Sequence, residues 1–337
     1  MTAASDNDAS RTVAIRRVAE TPIVAFGAVP GYGPIFNAGA VHHDGRFHLF
    51  ARGVRDGYRR NEGSGARYLD YISDLLVFTS ADGRSFEFQQ VLAEAGSDGV
   101  YSYEDPRVQR VRLGADVQFV ISYTTLPPPE SHAFWRIGVH RLAYGEDRFT
   151  LEESSGRVIG PPGEPDKDAV IFNLRDGRVA LIHRIYPDMQ LAVFESLEQL
   201  WNPPNGYWEA HMADLPRHTI IRPLDGSLGV GAGAPPVETQ DGLLLLFHER
   251  DGRGHYTARA ALLDPDTGQP RAVLPEPIMR PELDWERHGD VDNVVFVQGA
   301  IPCPDGAIYL TYGAADRNVG AATVEAAELL RVLREAE

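Results

Sequence analysis

Carboxylate and basic side chains recur where short apolar segments of the sequence begin and end. Glu104 and Asp105 precede one such segment and Lys167 precedes another, while Arg184 and His248 directly follow two others. A carboxyl group can transfer a proton, and a cation can bind an anion. Brought together, these residues would form a site for a polar ligand the size of a sugar or a phosphate.

Further polar residues take the same positions in the remaining segments. Asn37, Asp292 and Asn293 precede strand-like segments, and Arg52 and Asp316 follow them. Other chemistries have no support in the sequence. It holds no HExxH, no cysteine pair, no GxSxG, no Walker loop and no dinucleotide fingerprint, so we expect no metal, no cofactor and no nucleophilic Ser or Cys.

The elements that position these residues repeat along the chain. Each repeat is an apolar strand, a turn and a second apolar strand, followed by a weaker pair of strands. The turns lie at 44–45, 114–115, 176–177, 241–242 and 305–306, which are 70, 62, 65 and 64 residues apart. Four of the five are Asp-Gly, a strong hairpin signal because glycine adopts a positive φ without steric cost.

Five units of four strands predict an all-β fold, a five-bladed β-propeller. A pair of β-sandwiches is the alternative, but it would not require so constant a period. In an antiparallel hairpin, the start of one strand and the end of the next lie at the same edge. We therefore expect the polar residues above to converge on one mouth of the central channel.

The chain ends suggest two additions to the propeller. We assign residues 1–20 to an N-terminal extension, 21–323 to the catalytic propeller and 324–337 to a C-terminal helix. Leu329, Leu330 and Leu333 share one side of that helix. We expect the helix to cover the edge of the propeller, with a helix that docks a partner as the alternative. The segment 209–227 has no clear period and is predicted to be an insertion.

Composition limits the possible partners. The 337 residues include 32 Lys and Arg against 48 Asp and Glu, a net charge of −16, which repels nucleic acid. The single cysteine, Cys303, cannot form an internal disulfide. No secretory signal or membrane-spanning apolar run occurs. We expect a cytoplasmic protein, possible homo-oligomerisation, and no contact with membranes.

Several motifs, in order, resemble glycoside hydrolase family 130, the β-mannoside phosphorylases and related β-mannosidases. They are YEDPRV at 103–108, KDAVIF at 167–172, LIHR at 181–184, GAGAPPVETQDGLLLLFH at 231–248, PIMRPE at 277–282, NVVF at 293–296 and YGAAD at 312–316. Each motif is weak alone, but together they cover most of the chain, from about residue 37 to 319. The family fold is a five-bladed propeller, in agreement with the repeats.

The resemblance implies inverting phosphorolysis of a short β-mannoside to α-mannose 1-phosphate. Asp105 would be the general acid, its proton passing through the sugar 3-hydroxyl, and inorganic phosphate would be the co-substrate. The site residues implied are Lys167, Arg184 and His248 for a net positive phosphate pocket, and Arg52, Glu104, Asp292, Asn293 and Asp316 for the sugar.

One departure from the family pattern favours a different reaction. Glu249 stands where the family has glycine, next to the expected phosphate ligand His248. A second carboxylate could activate water, as inverting hydrolysis requires. A β-mannosidase with Glu249 or Glu238 as base is therefore the first alternative, and a propeller that only binds glycans or proteins is the second. The retained Arg184 and His248 favour phosphorolysis.

Overall fold

The computed structural model describes residues 13–63, 67–96 and 99–337, so residues 1–12 of the expected N-terminal extension lie outside the described part. Its five main sheets are the blades of a propeller, which confirms the predicted fold. All five predicted turns connect the first two strands of a blade. The strand β1 (Arg16–Arg17) belongs to the last blade, although it lies in the stretch assigned to the extension.

Blades 1 and 2 follow in chain order. Blade 1 contains β2 (Tyr32–His43), β3 (Arg46–Arg55), β6 (Ser73–Ser80) and β7 (Glu87–Ala93), with the small hairpin β4 (Arg59–Arg60) and β5 (Tyr68–Leu69) inserted after β3. Blade 2 contains β8 (Ser102–Leu113), β9 (Asp116–Leu126), β10 (Arg136–Gly145) and β11 (Arg148–Leu151), and β12 (Arg157–Ile159) also pairs with β10.

Blades 3 and 4 depart from the simple repeat. Blade 3 contains β13 (Lys167–Asn173), β14 (Val179–Arg184), β15 (Met189–Phe194) and β16 (Thr219–Ile221), and the short helices α1 (Leu197–Trp201), α2 (Tyr207–Ala213) and α3 (Leu215–His218) precede β16. Blade 4 contains β17 (Gly229–Ala232), β18 (Val237–Thr239), β19 (Gly242–Arg250), β20 (Tyr256–Leu263) and β21 (Pro270–Val273). Its innermost strand is split into β17 and β18 around Pro235 and Pro236, because proline has no N–H to donate to the ladder.

Blade 5 closes the ring by combining one strand from the N-terminal part of the chain with three strands from the C-terminal part. It contains β22 (Val295–Pro302), β23 (Ala307–Ala314), β24 (Asn318–Glu325) and, as its outermost strand, β1; the helix α4 (Asp284–Arg287) precedes it and α5 (Ala326–Arg334) follows it. The predicted C-terminal helix is thus present. The sequence did not predict α1 to α4, each of which has seven residues or fewer.

The hydrophobic core consists of five clusters, each of them between two neighbouring blades. The cluster between blades 1 and 2, for example, joins Phe50 to Phe149. The cluster between blades 4 and 5 also buries Leu329, Leu330 and Leu333 of α5. Burying a leucine stabilises a fold by about 1.5–3 kcal/mol. The helix therefore covers the propeller edge, as expected, and the blades form one continuous ring.

Candidate active site

A cavity of ≈ 920 Å³ opens at one mouth of the central channel. Strand register explains which parts of the chain meet at this cavity, because Phe36 pairs with Arg52 and Lys167 pairs with Arg184 at the ends of their hairpins. Its polar lining comprises Asn37, Arg52, Arg67, Tyr68, Asp70, Tyr71, Tyr101, Glu104, Asp105, Ser131, Lys167, Arg250, Tyr256 and Asp316. Of the residues predicted for the site, Arg52, Glu104, Asp105, Lys167 and Asp316 line this cavity.

β-Bulges in the innermost strands position the central side chains. The register slips after Phe36, Glu104 and Lys167, and the next residues have positive φ: 47° at Asn37, 51° at Asp105 and 55° at Asp168. Asn and Asp tolerate this left-handed conformation better than other residues with side chains. Bulges change the direction of side chains next to active sites. Here they place an Asn or Asp side chain at the equivalent inward-directed position of three blades.

Hydrogen bonds tie these bulges together across the channel. Asn37 Nδ2 donates to Asp105 Oδ1 at 2.8 Å, joining blades 1 and 2. Arg107 Nη2 donates to Asp168 Oδ1 at 3.1 Å, joining blades 2 and 3. At a fourth bulge, Gln298 Nε2 donates to the backbone oxygens of Asn37 at 2.7 Å and of Pro106 at 2.6 Å. The Asp105 carboxyl is therefore held in a fixed position.

Arg52 links the two carboxylates at the centre of the cavity. Its Nη2 lies 2.6 Å from Glu104 Oε1 and its Nη1 lies 3.7 Å from Asp105 Oδ1. Its Nε donates to Ser73 Oγ at 3.1 Å, which fixes the guanidinium plane. Arg52 thus neutralises Glu104, and no cation among the described residues pairs with the other Asp105 oxygen, Oδ2. A carboxyl placed in this way can act on a ligand in the cavity.

Asp316 reaches the same centre from blade 5. Burial raises the pKa of its carboxyl to about 7; Asp105 and Glu104 add to the rise, and Arg52 opposes it. Near neutral pH this group can therefore carry a proton, unlike an ordinary surface aspartate. Its backbone also has a positive φ, 51°.

A buried cluster around Asp168 lies beside Lys167. Arg184 Nη1 is 3.0 Å and His248 Nε2 is 3.5 Å from Asp168 Oδ2. Burial acts to raise the pKa of Asp168, but Arg184, His248 and Arg107 outweigh it and hold the pKa well below its usual range. Burial lowers the pKa of His248, although Asp168 opposes it. The structure brings Arg184 and His248 together, but neither lines the cavity.

Two cations in the cavity wall have neither an ion-pair partner nor a side-chain hydrogen-bond partner among the described residues. Lys167 is one of them, and it is also the only lysine of the 337 residues. Arg250 is the other: its guanidinium lies 5.6 Å from the ring centre of Tyr256, and its Nε is buried without a hydrogen-bond partner. Arg52 and Arg67, by contrast, bind Glu104 and the Asp290 backbone oxygen. The unpaired pair can receive an anion.

Arg250 was not among the residues predicted from the sequence, although a signal was present. Side chains alternate along a strand, so Arg250 shares the face of His248, and Glu249 points the other way. The Glu249 carboxylate binds Arg259 and accepts from Leu224 N at 2.8 Å. It is only 4% exposed. The expectation that Glu249 faces the site is therefore wrong.

Glu238 is also far from the cavity. It lies beside the turn of its hairpin, at the opposite end of the blade, where it pairs with Arg112. It lines a second cavity of ≈ 550 Å³ at that end. Neither carboxylate proposed as a hydrolytic base can therefore reach a ligand near Asp105.

Asp292 and Asn293 do not line the cavity either. Asp292 is exposed and accepts from Gly289 N at 3.2 Å, and Asn293 Nδ2 lies 3.4 Å from His255 Nε2. Their neighbours Val291 and Val294 do line it. The loop was therefore predicted correctly, but the side chains that face the cavity were not. The loop is irregular, so its sequence has no period that indicates which side chains point inward.

The hairpin β4–β5 forms part of the wall and was not predicted. Tyr68 OH donates to the Asp290 backbone oxygen at 2.8 Å, and Tyr71 OH donates to Asp290 Oδ2 at 3.3 Å. These bonds connect blade 1 to blade 5 across the mouth. The lining as a whole contains four cations and four acids. Positive charge is local to Lys167 and Arg250.

In the described ranges, no three His, Cys, Asp or Glu side chains are grouped so that they could hold a metal ion. No helix there is long and apolar enough to cross a membrane.

A closed five-bladed propeller with fixed carboxylates beside unpaired cations at its channel mouth defines an enzyme that acts on small polar substrates. The model of the family described as beta-1,4-mannooligosaccharide phosphorylase, glycoside hydrolase family 130, matches residues 11–335. The chain belongs to this family, as its motifs predicted, and is an enzyme of the mannoside phosphorylase group.

Individual relatives agree with this membership. A 1,2-beta-oligomannan phosphorylase of Thermoanaerobacter sp. is 31% identical over 299 residues, which cover 86% of this chain and 90% of that protein. A beta-1,2-mannobiose phosphorylase from the same source is 30% identical over 301 residues, with the same coverage. The solved structure of the Listeria innocua beta-1,2-mannobiose phosphorylase with beta-1,2-mannobiose has a TM-score of 0.74 at 20% identity, covering 95% and 99% of the two chains.

Proposed function

We propose that the protein catalyses phosphorolysis of a short β-mannoside and releases α-mannose 1-phosphate. The observation that carries this proposal is the pair of unpaired cations, Lys167 and Arg250, in the same cavity as the fixed carboxyl of Asp105. A phosphate nucleophile needs cationic ligands and no second catalytic carboxylate. Water as nucleophile needs a base, and neither Glu249 nor Glu238 faces the cavity.

The proposed step assigns a role to each group. A phosphate oxygen, held by Lys167 and Arg250, attacks the anomeric carbon, and the bond from that carbon to the bridging oxygen breaks. Asp105 supplies the proton that the leaving oxygen takes, through the 3-hydroxyl if the proton path of the family applies. Attack from the face opposite the leaving group inverts the anomeric centre, so a β-mannoside gives the α-phosphate.

Arg52 and Asn37 position the acid in this mechanism. Both hold Asp105 Oδ1, through contacts at 3.7 and 2.8 Å, so that Oδ2 is directed to the substrate. Glu104 keeps Arg52 in place, and Asp316 is close enough to bind sugar hydroxyls. Arg184 and His248 act from behind the wall in this arrangement: they fix Asp168, which follows Lys167 in β13.

The names of the relatives favour a β-1,2 linkage, because the relatives at 31 and 30% identity are β-1,2-specific by name. The family description names the β-1,4 linkage. A β-mannosidase on the same fold remains the alternative reaction. The cytoplasmic location, the absence of a cofactor other than phosphate as co-substrate, and homo-oligomerisation remain predictions.

Product analysis tests the proposal. The enzyme is incubated with β-1,2- and β-1,4-mannobiose, with and without inorganic phosphate. We expect mannose 1-phosphate only with phosphate, and the α-anomer by NMR. Free mannose formed equally in both conditions would contradict phosphorolysis and support the hydrolase.

A further inference from the structure

An exposed tryptophan lies at the rim of the active-site cavity. Trp135 is 43% exposed and lines the cavity beside Tyr101 and the run Pro127–Pro129. Its neighbour Phe134 is 49% exposed but does not line the cavity. A large apolar ring left in water next to a binding cavity marks a surface that a ligand covers. None of the functions assigned above uses this ring.

The backbone of Trp135 is anchored, although it follows a loop. Its carbonyl oxygen accepts from Asp166 N at 3.2 Å, which joins it to blade 3. The next residue, Arg136, starts β10 and pairs with Thr125. Arg136 Nη2 also donates to the backbone oxygen of Gly160 at 3.0 Å. The backbone of Trp135 therefore has a defined place relative to the catalytic strand.

Sheet geometry gives the separation of the Trp135 backbone from the strand that holds the catalytic carboxyl. Glu104 of β8 pairs with Thr124 of β9, and Thr125 pairs with Arg136 of β10. Adjacent strands are about 4.8 Å apart, so Trp135 stands about 10 Å outward from the strand that holds Asp105. That separation leaves space for a further sugar between the reacting mannose and the ring. The cavity of ≈ 920 Å³ is at the upper end of the usual range for ligand pockets.

We propose that Trp135 and the adjacent Tyr101 and proline wall form an outer subsite for the third sugar of a β-mannan chain. The proposal rests on the proposed function, because the first two sugars occupy the Asp105 end. The flat indole ring would stack on the apolar C–H face of a pyranose. The outer subsite makes the enzyme prefer oligosaccharides of three or more units to a disaccharide.

Phosphorolysis of β-mannobiose, mannotriose and mannotetraose by the wild type and by Trp135→Ala, Trp135→Phe and Phe134→Ala tests the outer subsite. We expect Trp135→Ala to lower kcat/KM for the triose and tetraose about tenfold, the loss of one aromatic stacking contact, and to leave the biose within about twofold. Trp135→Phe retains a ring and should recover most of the loss. Phe134→Ala is the matched control and should behave as wild type.

Two outcomes would overturn the outer subsite. An equal loss on biose and triose would place Trp135 in an inner subsite, and no loss on either would show that the ring does not bind sugar. If the wild type forms no mannose 1-phosphate from any substrate, the proposed function fails instead. Calorimetric titration of mannotriose then decides separately: weaker binding to Trp135→Ala supports the outer subsite, and unchanged binding refutes it.

Discussion

Replacing Lys167 tests the proposed phosphate site most directly. Lys167→Met keeps the length of the side chain and removes its charge. Because no described carboxylate pairs with Lys167, the substitution leaves no buried partner charge behind, and we expect stability to change by no more than about 0.5 kcal/mol. The effect should fall on the ligand and not on the fold.

The magnitude follows from one lost contact. A hydrogen bond to a charged group contributes about 1.5–3 kcal/mol, and 1.36 kcal/mol corresponds to a factor of ten. KM for phosphate should therefore rise about 10- to 150-fold in steady-state phosphorolysis assays, with a much smaller change in KM for the mannoside. Arg67→Gln is the matched control, because Arg67 lines the same cavity but binds the Asp290 backbone oxygen.

The uniqueness of this lysine allows a second, chemical measurement. An amine-directed reagent can modify Lys167 and the terminal α-amino group, but no other lysine. Saturating phosphate should slow modification of the peptide that contains Lys167, as followed by mass spectrometry, and leave the α-amino rate unchanged. An unchanged KM for phosphate in Lys167→Met together with no protection would refute the assignment of the anion site.

Four further substitutions test other parts of the site and the two carboxylates that lie outside it. Asp316→Asn should raise Tm at pH 8 and have little effect on Tm at pH 4. Because the pKa of the Asp316 carboxyl is raised to about 7, the wild-type protein loses stability as pH rises from about 4 through 7, and the asparagine does not. Gly313→Ala should lower kcat about 100-fold, since its Cβ would lie 1.8 Å from Asn37 Oδ1 and displace the group that holds the acid. Glu249→Gln should lower stability by about 3–5 kcal/mol, because it breaks a buried ion pair. The folded variant should nevertheless keep the product identity and the kcat of the wild type. Glu238→Gln should also keep both, and it should not lose stability.

The controls for these variants come from the same chain. Gly145→Ala is the control for the glycine substitution, because its Cβ would meet nothing within 4 Å. Circular dichroism establishes that Gly313→Ala is folded. A Tm gain of Asp316→Asn that is independent of pH would contradict the raised pKa, and loss of turnover in folded Glu249→Gln would restore that residue as a catalytic base.

The blades were predictable because their signal is local. Each of the five turns, four of them Asp-Gly, sets a hairpin, and hairpin geometry alone places Arg52, Asp105 and Lys167 at one mouth. The short helices α1 to α4 were not predictable by the same means, since none is long enough to show a helical period. The N-terminal strand β1 has two residues, and only its pairing partner in the last blade makes it a strand.

The direction in which side chains point was the main feature of the site that could not be predicted from the sequence. Alternation along β19 distinguishes Arg250 from Glu249, but a bulge moves every later residue to the other face, and nothing in the sequence marks a bulge except a tolerated Asn or Asp. Arg184 and His248 show a second limit. Their residue types suit phosphate, but both side chains pair with Asp168, which a bulge in β13 places within the cavity wall.

The way in which the ring closes determines when the enzyme can become active during its synthesis. Blade 5 joins β1, from the first part of the chain, to β22–β24, from the last part, and Arg17 adds an ion pair of 3.1 Å to Glu286. Asp316 lies in the turn between the last two of these strands, β23 and β24. The catalytic cavity can therefore be completed during synthesis only after β22–β24 have been made and have paired with β1.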